Sequence, residues 1–418
     1  MSRRGALKLG GLTVAGSLLD APYVRAASSR KVKIGFVSPV TGPLAAFSQP
    51  DPFLLAQLKK SIAGGLKIGG QLYDVEILYK DSQSDSNRAS DVTSDLILND
   101  EVALVIAAST PATTVPVSSQ CELNGVPCIT TDTPWQSWFY GCQGNPKTGF
   151  QWTYHFFWGL EQLIGTFTSM WQQIPTDKAV GSLWPNDSDG NSWADVKTGF
   201  PPALAKDGFK LTDLGRFPLP VSDFTPFITA FKNNAVETVV GVLPPPDFAT
   251  FWSQSAQQNF RPKIVTCPKA LEFPQTIKAF GERANGLSVE VAWAPEFPFV
   301  STLTGQSGRQ LAKAYTAASG DQWSMPLGNR HALFEVAVDV LKRASSTDPK
   351  DIRAAIAATN LKTINGTVNF AQGPVPNVSE TPLVSGQWRK AGNGFDLVIV
   401  DNAVAPEVPV ADKLQSLA

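Results

Sequence analysis

The chain has 418 residues, 43% of them hydrophobic, with 35 basic and 36 acidic side chains and a formal charge of −1. That length can bury substantial cores and suggests two or three domains. The near-balance of charge gives no field to gather nucleic acid or an anionic membrane surface, and no basic stripe is interleaved with aromatics, so nucleic acid is not expected as a partner.

Residues 1–27 differ from the rest: MSRRGALK is basic, GGLTVAGSLL is apolar, and APYVRAA ends in small residues. This is the layout of an export signal, and its apolar run is too short for a helix that must cross a bilayer with about 20 residues. Ser2-Arg3-Arg4 followed by Leu7-Lys8 resembles a twin-arginine signal, which implies export in the folded state. The mature chain is expected to be periplasmic or otherwise extracytoplasmic.

From residue 32 strand-like and helix-like segments alternate, the pattern of a parallel sheet covered by helices. VKIGFV (32–37) reads as a buried strand, and a helix starts at Asp51-Pro52 and stops at Gly64-Gly65. VEILYK (75–80), a helix around 87–100, VALVIAA (102–108) and VPCIT (126–130) complete one α/β unit. FQWTYHFFWG (150–159) reads as an aromatic-rich linker into a second series. That series has helices over 160–173, 192–205, 224–233 and 247–259, alternating with strands at 179–184, 211–217, 237–243 and 263–266. LSVEVAW (287–293), helices over 307–318, 329–344 and 348–359, GTVNF (366–370) and a hairpin over 386–401 follow, with Gly392-Asn393-Gly394 as its turn. This last block has too few strands for a sheet of its own, so it is expected to complete the two earlier units by crossing between them.

Four cysteines fit an oxidising compartment, and Cys121 with Cys142, both in polar surroundings, form the preferred disulfide pair. Cys128 and Cys267 read as small buried hydrophobes. There is no C-x-x-C, no metal-ligand spacing around His155 or His331, and no G-x-S-x-G, Walker A or G-x-G-x-x-G motif. Neither metal nor cofactor is expected, and no enzymatic constellation is present.

In open parallel sheets ligands bind beyond the carboxyl ends of the strands, where helix N-termini point free N–H groups into the crevice. Strand ends of the first unit carry Ser38 and Thr41, then Ser109, Thr110 and Thr113, then Asp132, Thr133 and Trp135. Any one hydroxyl is more often a helix cap, but three such clusters at successive strand ends point to a site. The second unit offers Trp184, Lys269 and Trp293 at its strand ends, and Arg330 sits near a helix start. One hydroxyl-rich wall and one tryptophan-rich wall suit a small molecule with a polar head and an apolar body.

The signal, KIGFVSPVTGPLAAF, YKDSQSDSNRASDVTSDLI, VALVIAASTPATTVPVSSQCELNGVPCITT and a second α/β unit together resemble the branched-chain amino-acid-binding family, type I periplasmic binding proteins of ABC importers. The resemblance implies two Rossmann-like parallel-sheet lobes joined by three hinge crossings, placed here near 150, 288 and 366. Lobe 1 is then 28–149 plus 288–365, and lobe 2 is 150–287 plus 366–418. It also implies a small-molecule ligand held between the lobes and a membrane permease as partner to a monomer. The family's carboxylate-binding positions fall on Thr110, Pro111, Ala112, Thr113, Asp132 and Thr133, and its acidic residue for an ammonium falls near Pro268-Lys269. A cation there favours an aromatic or apolar organic acid over a plain amino acid, with Lys269 or Arg330 as counter-charge. An amino-acid or amide ligand, a sensory module of the same fold and a hydrolase using Ser109 or Ser38 are the alternatives. No further membrane segment or signalling extension is read after the lobes, which favours a free carrier.

Overall fold

The computed structural model describes residues 30–417, so the expected export signal lies outside the described residues. The chain first forms β1 (Lys31–Ser38), α1 (Asp51–Ser61), β2 (Leu66–Ile68), β3 (Gln71–Asp81), α2 (Ser86–Leu98), β4 (Leu104–Ala108), α3 (Pro111–Asn124), β5 (Cys128–Thr131), α4 (Trp135–Gly141) and β6 (Thr153–Phe156). Next come α5 (Leu160–Trp171), β7 (Ala179–Leu183), α6 (Ser188–Trp193), α7 (Phe200–Lys206), β8 (Lys210–Thr212), α8 (Thr225–Asn233), β9 (Thr238–Gly241), α9 (Pro245–Gln257), β10 (Ile264–Thr266), α10 (Pro274–Phe280) and β11 (Ser288–Val291). Three helices, α11 (Gly308–Ser319), α12 (Pro326–Arg343) and α13 (Pro349–Ala357), precede β12 (Asn360–Thr363), β13 (Gly366–Asn369), β14 (Val378–Ser379), β15 (Val384–Ala391) and β16 (Gly394–Asp401).

Local chemistry explains most boundaries. Asp51 and Pro52 open α1, and the Asp85 side chain accepts from Arg88 N at 2.8 Å to cap α2. Gly125, in the left-handed region at φ 71°, ends α3. The single helix expected over 192–205 is instead α6 and α7, because Pro201 and Pro202 lack N–H donors and fit only a first helical turn. All five residues of β4 are buried, as befits a strand covered on both faces.

Two seven-stranded sheets result, in the orders β14-β6-β5-β4-β1-β3-β2 and β16-β15-β11-β10-β9-β7-β8. They are mostly parallel, and each anchors one lobe. Strand membership corrects the expected lobe boundaries in three places. β6, inside the segment read as a linker, pairs in parallel with β5 through Cys128 and Thr153 and belongs to the first sheet. β11, assigned from sequence to lobe 1, pairs with β10 and β15 in the second sheet. β14, assigned to lobe 2, lies beside β6 in the first. The chain therefore crosses between lobes after β6, after β11 and between β14 and β15. Each crossing was displaced in the reading because a two- to four-residue strand carries too little periodicity to mark which sheet it joins.

Helix α12 is the least exposed long element: every residue from Pro326 to Val338 is buried. Its Gly328 lies so close to Trp293 that an added Cβ would meet the indole at 2.1 Å, which places Trp293 in the core. Two residues along the chain, Arg330 is fully buried. Its Nη1 donates to Asp51 Oδ1 at 2.7 Å and to Ser38 Oγ at 2.7 Å, and its Nη2 donates to Ala108 O at 3.2 Å. Ser38 Oγ and Tyr79 Oη both donate to Asp51 Oδ2, at 2.6 and 2.7 Å. One guanidinium thus ties the carboxyl ends of β1 and β4 and the start of α1, and the tyrosine adds β3.

A buried ion pair that loses one partner leaves an uncompensated charge in low dielectric, whereas replacing both by apolar groups is often neutral. Arg330→Met should therefore destabilise the protein by about 3–5 kcal/mol in urea unfolding, and Asp51→Leu added to it should recover most of that loss. Equal midpoints for wild type and Arg330→Met would contradict this account.

Candidate functional site

β4 and β5 of the first lobe end at residues with unusual backbones: Ser109 at φ 137° and Asp132 at φ 70°. In the second lobe Lys269, bridged to Leu243 just past β9 and β10, stands at φ 64°. Non-glycine residues in this region cost of order 1 kcal/mol or more and persist where the surroundings over-determine them. Asp132 and Lys269 line one cavity between the lobes, and Ser109 precedes its Thr110.

The first lobe contributes Phe47, Thr110, Pro111, Asp132 and Pro134 to this inner chamber. The second contributes Asp189, Trp193, Lys269, Glu272 and Glu290, and Phe157 and Trp158 enter from the crossing after β6. Beside it, Phe47 meets Phe273 edge-to-face at 4.9 Å, a direct contact between lobes, so the cleft is shut in this structure. A second, outer chamber shares Thr110, Pro111, Asp189 and Lys269 with the first.

The electrostatics are acidic. Lys269 Nζ lies 2.7 Å from Asp189 Oδ2 and 3.3 Å from Asp187 Oδ2. Burial alone would lower its ammonium, but the Asp187 and Asp189 charges outweigh it and hold the group above its ordinary value. Asp132 Oδ1 accepts from Asn329 Nδ2 at 2.6 Å, while Oδ2 sits 3.7 Å from Arg330 Nε. Burial pushes Asp132 up to about 6, opposed by the Arg330 charge, so it is ionised at neutral pH. Each of the two cations therefore faces two carboxyls, Lys269 with Asp187 and Asp189 and Arg330 with Asp51 and Asp132. Glu272 and Glu290 add two more. Burial raises both, the Asp132 charge raises Glu272 further and Glu272 raises Glu290, so this pair keeps a proton that two isolated carboxylates would lose.

Several buried polar atoms of the chamber's residues have no hydrogen-bond partner: Thr110 Oγ1, Asp132 Oδ2, Asp189 Oδ1, Glu290 Oε2, and the indole N–H of Trp158 and Trp193. Unmatched groups of this kind each carry a desolvation penalty of about 1–3 kcal/mol, which a ligand's complementary atoms can remove. Among the described residues no group of histidines, cysteines or carboxylates is arranged to hold a metal ion.

A model of the periplasmic binding protein family matches residues 31–393. The chain belongs to the periplasmic binding protein family. Its members are extracytoplasmic solute-binding proteins of ABC transporters, and no helix among the described residues is long and apolar enough to cross a membrane. The solved leucine-binding protein LivK of Thermotoga maritima is similar at 17% identity, with a TM-score of 0.70 over 89% of this chain and 99% of that one. A solute-binding protein of Rhodopseudomonas palustris in complex with 3,4-dihydroxybenzoic acid is similar at 16% identity, with a TM-score of 0.69 over 89% and 98%. The isoleucine complex of LivJ from Streptococcus pneumoniae gives 16%, 0.65, 89% and 100%. The two-lobed type I fold expected from the sequence is thereby established.

Within this periplasmic binding protein, Thr110, Asp132 and Lys269 of the sequence-predicted set line the inner chamber. Thr41 is exposed and donates to Asp81 Oδ2 at 2.7 Å. Ser38 and Arg330 lie beneath the chamber in the Asp51 network, so Arg330 offers no exposed counter-charge, a correction to the sequence reading. Ser109 Oγ is buried without a partner, and Thr113 shares a contact with Ser82 Oγ at 3.3 Å. Thr133 Oγ1 donates to Ser109 O and meets Thr114 Oγ1 at 3.0 Å. Trp135 donates to Glu161 Oε1 at 3.1 Å within an aromatic cluster with Phe139. Trp184 stacks under Arg216 and beside Phe200, and Trp293 packs on Trp323, so both are core residues rather than chamber walls.

Cys121 and Cys142 are not joined: all four thiols are free, Cys121 neighbours Cys128, and Cys142 Sγ is aimed at Val115 O. The alternation of polar residues around them concealed that Cys121 faces the sheet from α3. His331 Nε2 lies 2.7 Å from Ser301 Oγ in the core, and burial lowers it to about 4, so it is neutral. Sequence reading missed Glu272, Glu290, Phe47, Phe157, Trp158 and Trp193. The signal for Glu290 was present: a carboxylate in the middle of SVEV, a strand whose four residues are all buried.

If Lys269 were only a counter-charge facing a ligand, Lys269→Ala would leave stability nearly unchanged. The geometry reverses this, because Asp189, 1% exposed, would be left beside Asp187 without its cation. Lys269→Ala should lower stability by about 2–4 kcal/mol, measured by chemical unfolding, and Lys269→Ala with Asp189→Ala should restore part of it.

Proposed function

We propose that this chain is the capture component of an ABC importer: it holds a small organic molecule between its lobes and delivers it to a membrane permease. Its action is binding, not catalysis. The observation that carries the reading is the inner chamber, to which both lobes contribute unpaired buried polar groups that only a third molecule can satisfy. Closure is driven by contacts that exist only when both lobes touch the ligand.

The chamber selects for hydrogen-bond donors. Asp132 Oδ2, Asp189 Oδ1 and Glu290 Oε2 are acceptors or acids, and carboxyls outnumber cations, which favours an ammonium or amide head over a bare carboxylate. Phe47, Phe157, Trp158 and Trp193 offer ring faces to an apolar body or to the cation itself. An aromatic acid is the second reading, favoured by Lys269 at the chamber wall and by the fold-related R. palustris protein bound to 3,4-dihydroxybenzoic acid, whose hydroxyls are also donors.

A thermal-shift panel of small amines, primary amides, amino acids and hydroxybenzoates, followed by calorimetry on the hits, discriminates these. An amine or amide should bind best, and Asp132→Asn should weaken it at least tenfold. Tight hydroxybenzoate binding with no response to amines would select the second reading, and no response to any class would reject ligand capture by this chamber.

The pH dependence follows from Asp132, which faces Arg330, Asn329 and Asp51 from its own lobe and the Glu272 and Glu290 carboxyls from the other. Raised to about 6, it takes up a proton as pH falls through that value and loses the charge that attracts an ammonium. Affinity for a cationic ligand should therefore drop between pH 7 and pH 5 in wild type and stay flatter in Asp132→Asn.

A further inference from the structure

We infer that the cleft takes an elongated ligand, its polar head in the inner chamber and an apolar tail in the outer chamber walled by Val115, Pro116, Leu219, Pro220 and Pro244. The inference rests on the proposed capture function and goes beyond it, because it fixes the ligand's shape and direction.

Two observations carry it. The first is continuity: Thr110, Pro111, Asp189 and Lys269 line both chambers and form their common boundary, and the outer one offers about 620 Å³ and opens towards solvent. The inner chamber has only about 30 Å³ of room against about 620 Å³ in the outer one, so a ligand larger than a small head group must extend outwards.

The second is a contrast in unmet polarity. Beyond the shared boundary of Thr110 and Asp189, polar side chains of the outer chamber are bonded within the protein. Ser84 Oγ donates to Thr41 O at 2.7 Å and accepts from Leu44 N at 3.1 Å, and Ser86 Oγ donates to Ala112 O at 3.1 Å. Asp247 Oδ1 accepts from Val221 N at 2.6 Å, and Asp187 Oδ1 accepts from Gly190 N at 2.8 Å. What this chamber offers a ligand is proline and aliphatic surface. The inner chamber holds the orphaned Thr110, Asp132, Asp189 and Glu290 atoms. A molecule with one polar and one apolar end lowers its free energy in only one of the two orientations, head inward.

The test is calorimetry with a homologous series of benzylamine, 2-phenylethylamine, 3-phenylpropylamine and 4-phenylbutylamine, together with fluorescence titration of neutral N-phenyl-1-naphthylamine. Affinity should rise about three- to fourfold per methylene, the value expected for a buried CH₂. Ser188→Trp places bulk at an exposed, chamber-lining position without disturbing the core; Leu219→Trp is an independent second filler. Both should flatten the chain-length gradient and weaken the naphthylamine at least fivefold while affecting benzylamine least. Asp132→Asn should weaken every amine equally and spare the naphthylamine.

Equal affinities along the series, with benzylamine bound, would overturn the outer chamber's role and leave the capture function standing. Naphthylamine binding that neither filler alters would overturn it too. If the naphthylamine binds and is lost in both fillers while no amine binds, the outer chamber stands and the choice of head group is wrong. If no member of either set binds, the inference fails, and the capture function is decided by the broader panel of amides, amino acids and hydroxybenzoates.

Discussion

The rim of the first lobe depends on the contact between Arg330 and Asp51. Neither side chain is exposed, and the guanidinium reaches Asp51, Ser38 and Ala108 O at once, with Tyr79 adding a bond to Asp51. Charge and carboxylate alone would barely offset their desolvation, but each remaining donor is aimed at a strand end. The next residue back on α12, Asn329, donates to Asp132 and itself accepts from Asn365 Nδ2 at 2.8 Å. One buried helix start therefore fixes the loops after β1, β4 and β5 relative to one another, and through Asp132 it fixes the floor of the chamber.

On the opposite wall the second lobe uses acids rather than hydroxyls. Lys269 is held by Asp187 and Asp189, so its charge is largely spent within the protein, and Glu272 accepts from Lys269 N at 2.7 Å. The chamber as a whole is short of positive charge and rich in unpaired acceptors. That imbalance, more than the ring faces around it, sets the polarity of the chamber. Aromatic walls are permissive because every apolar body fits a ring face, whereas an unpaired buried carboxylate discriminates sharply.

Much of the fold was legible because its strands are long buried runs separated by capped helices, as in β1, α1, α2 and the β15–β16 hairpin. Short strands were not: Thr153–Phe156 reads as an aromatic linker until its pairing with β5 is seen, and Val378–Ser379 has no periodicity at all. In the site, Thr110, Asp132 and Lys269 were readable from their place at strand ends. Arg330 was read as a ligand contact because a cation near a helix start is ambiguous until its distance from Asp51, 279 positions away in sequence, is known. Glu290 was missed through attention to strand ends alone, since it sits within β11 and enters the chamber from the side. Trp184 and Trp293 were over-read, because adjacency to a strand end does not say which face an indole takes; Gly328 makes room for one and Phe200 packs against the other.

The edge-to-face meeting of Phe47 and Phe273 involves protein atoms only. Its attraction is the same whatever occupies the cavity, so it lowers the threshold for shutting without adding any discrimination between cargoes. A clasp of this kind makes the empty shell prone to shut as well, and it slows the parting of the halves after loading. Opening the cleft must separate these two rings, a cost set by the protein rather than by whatever the cavity holds.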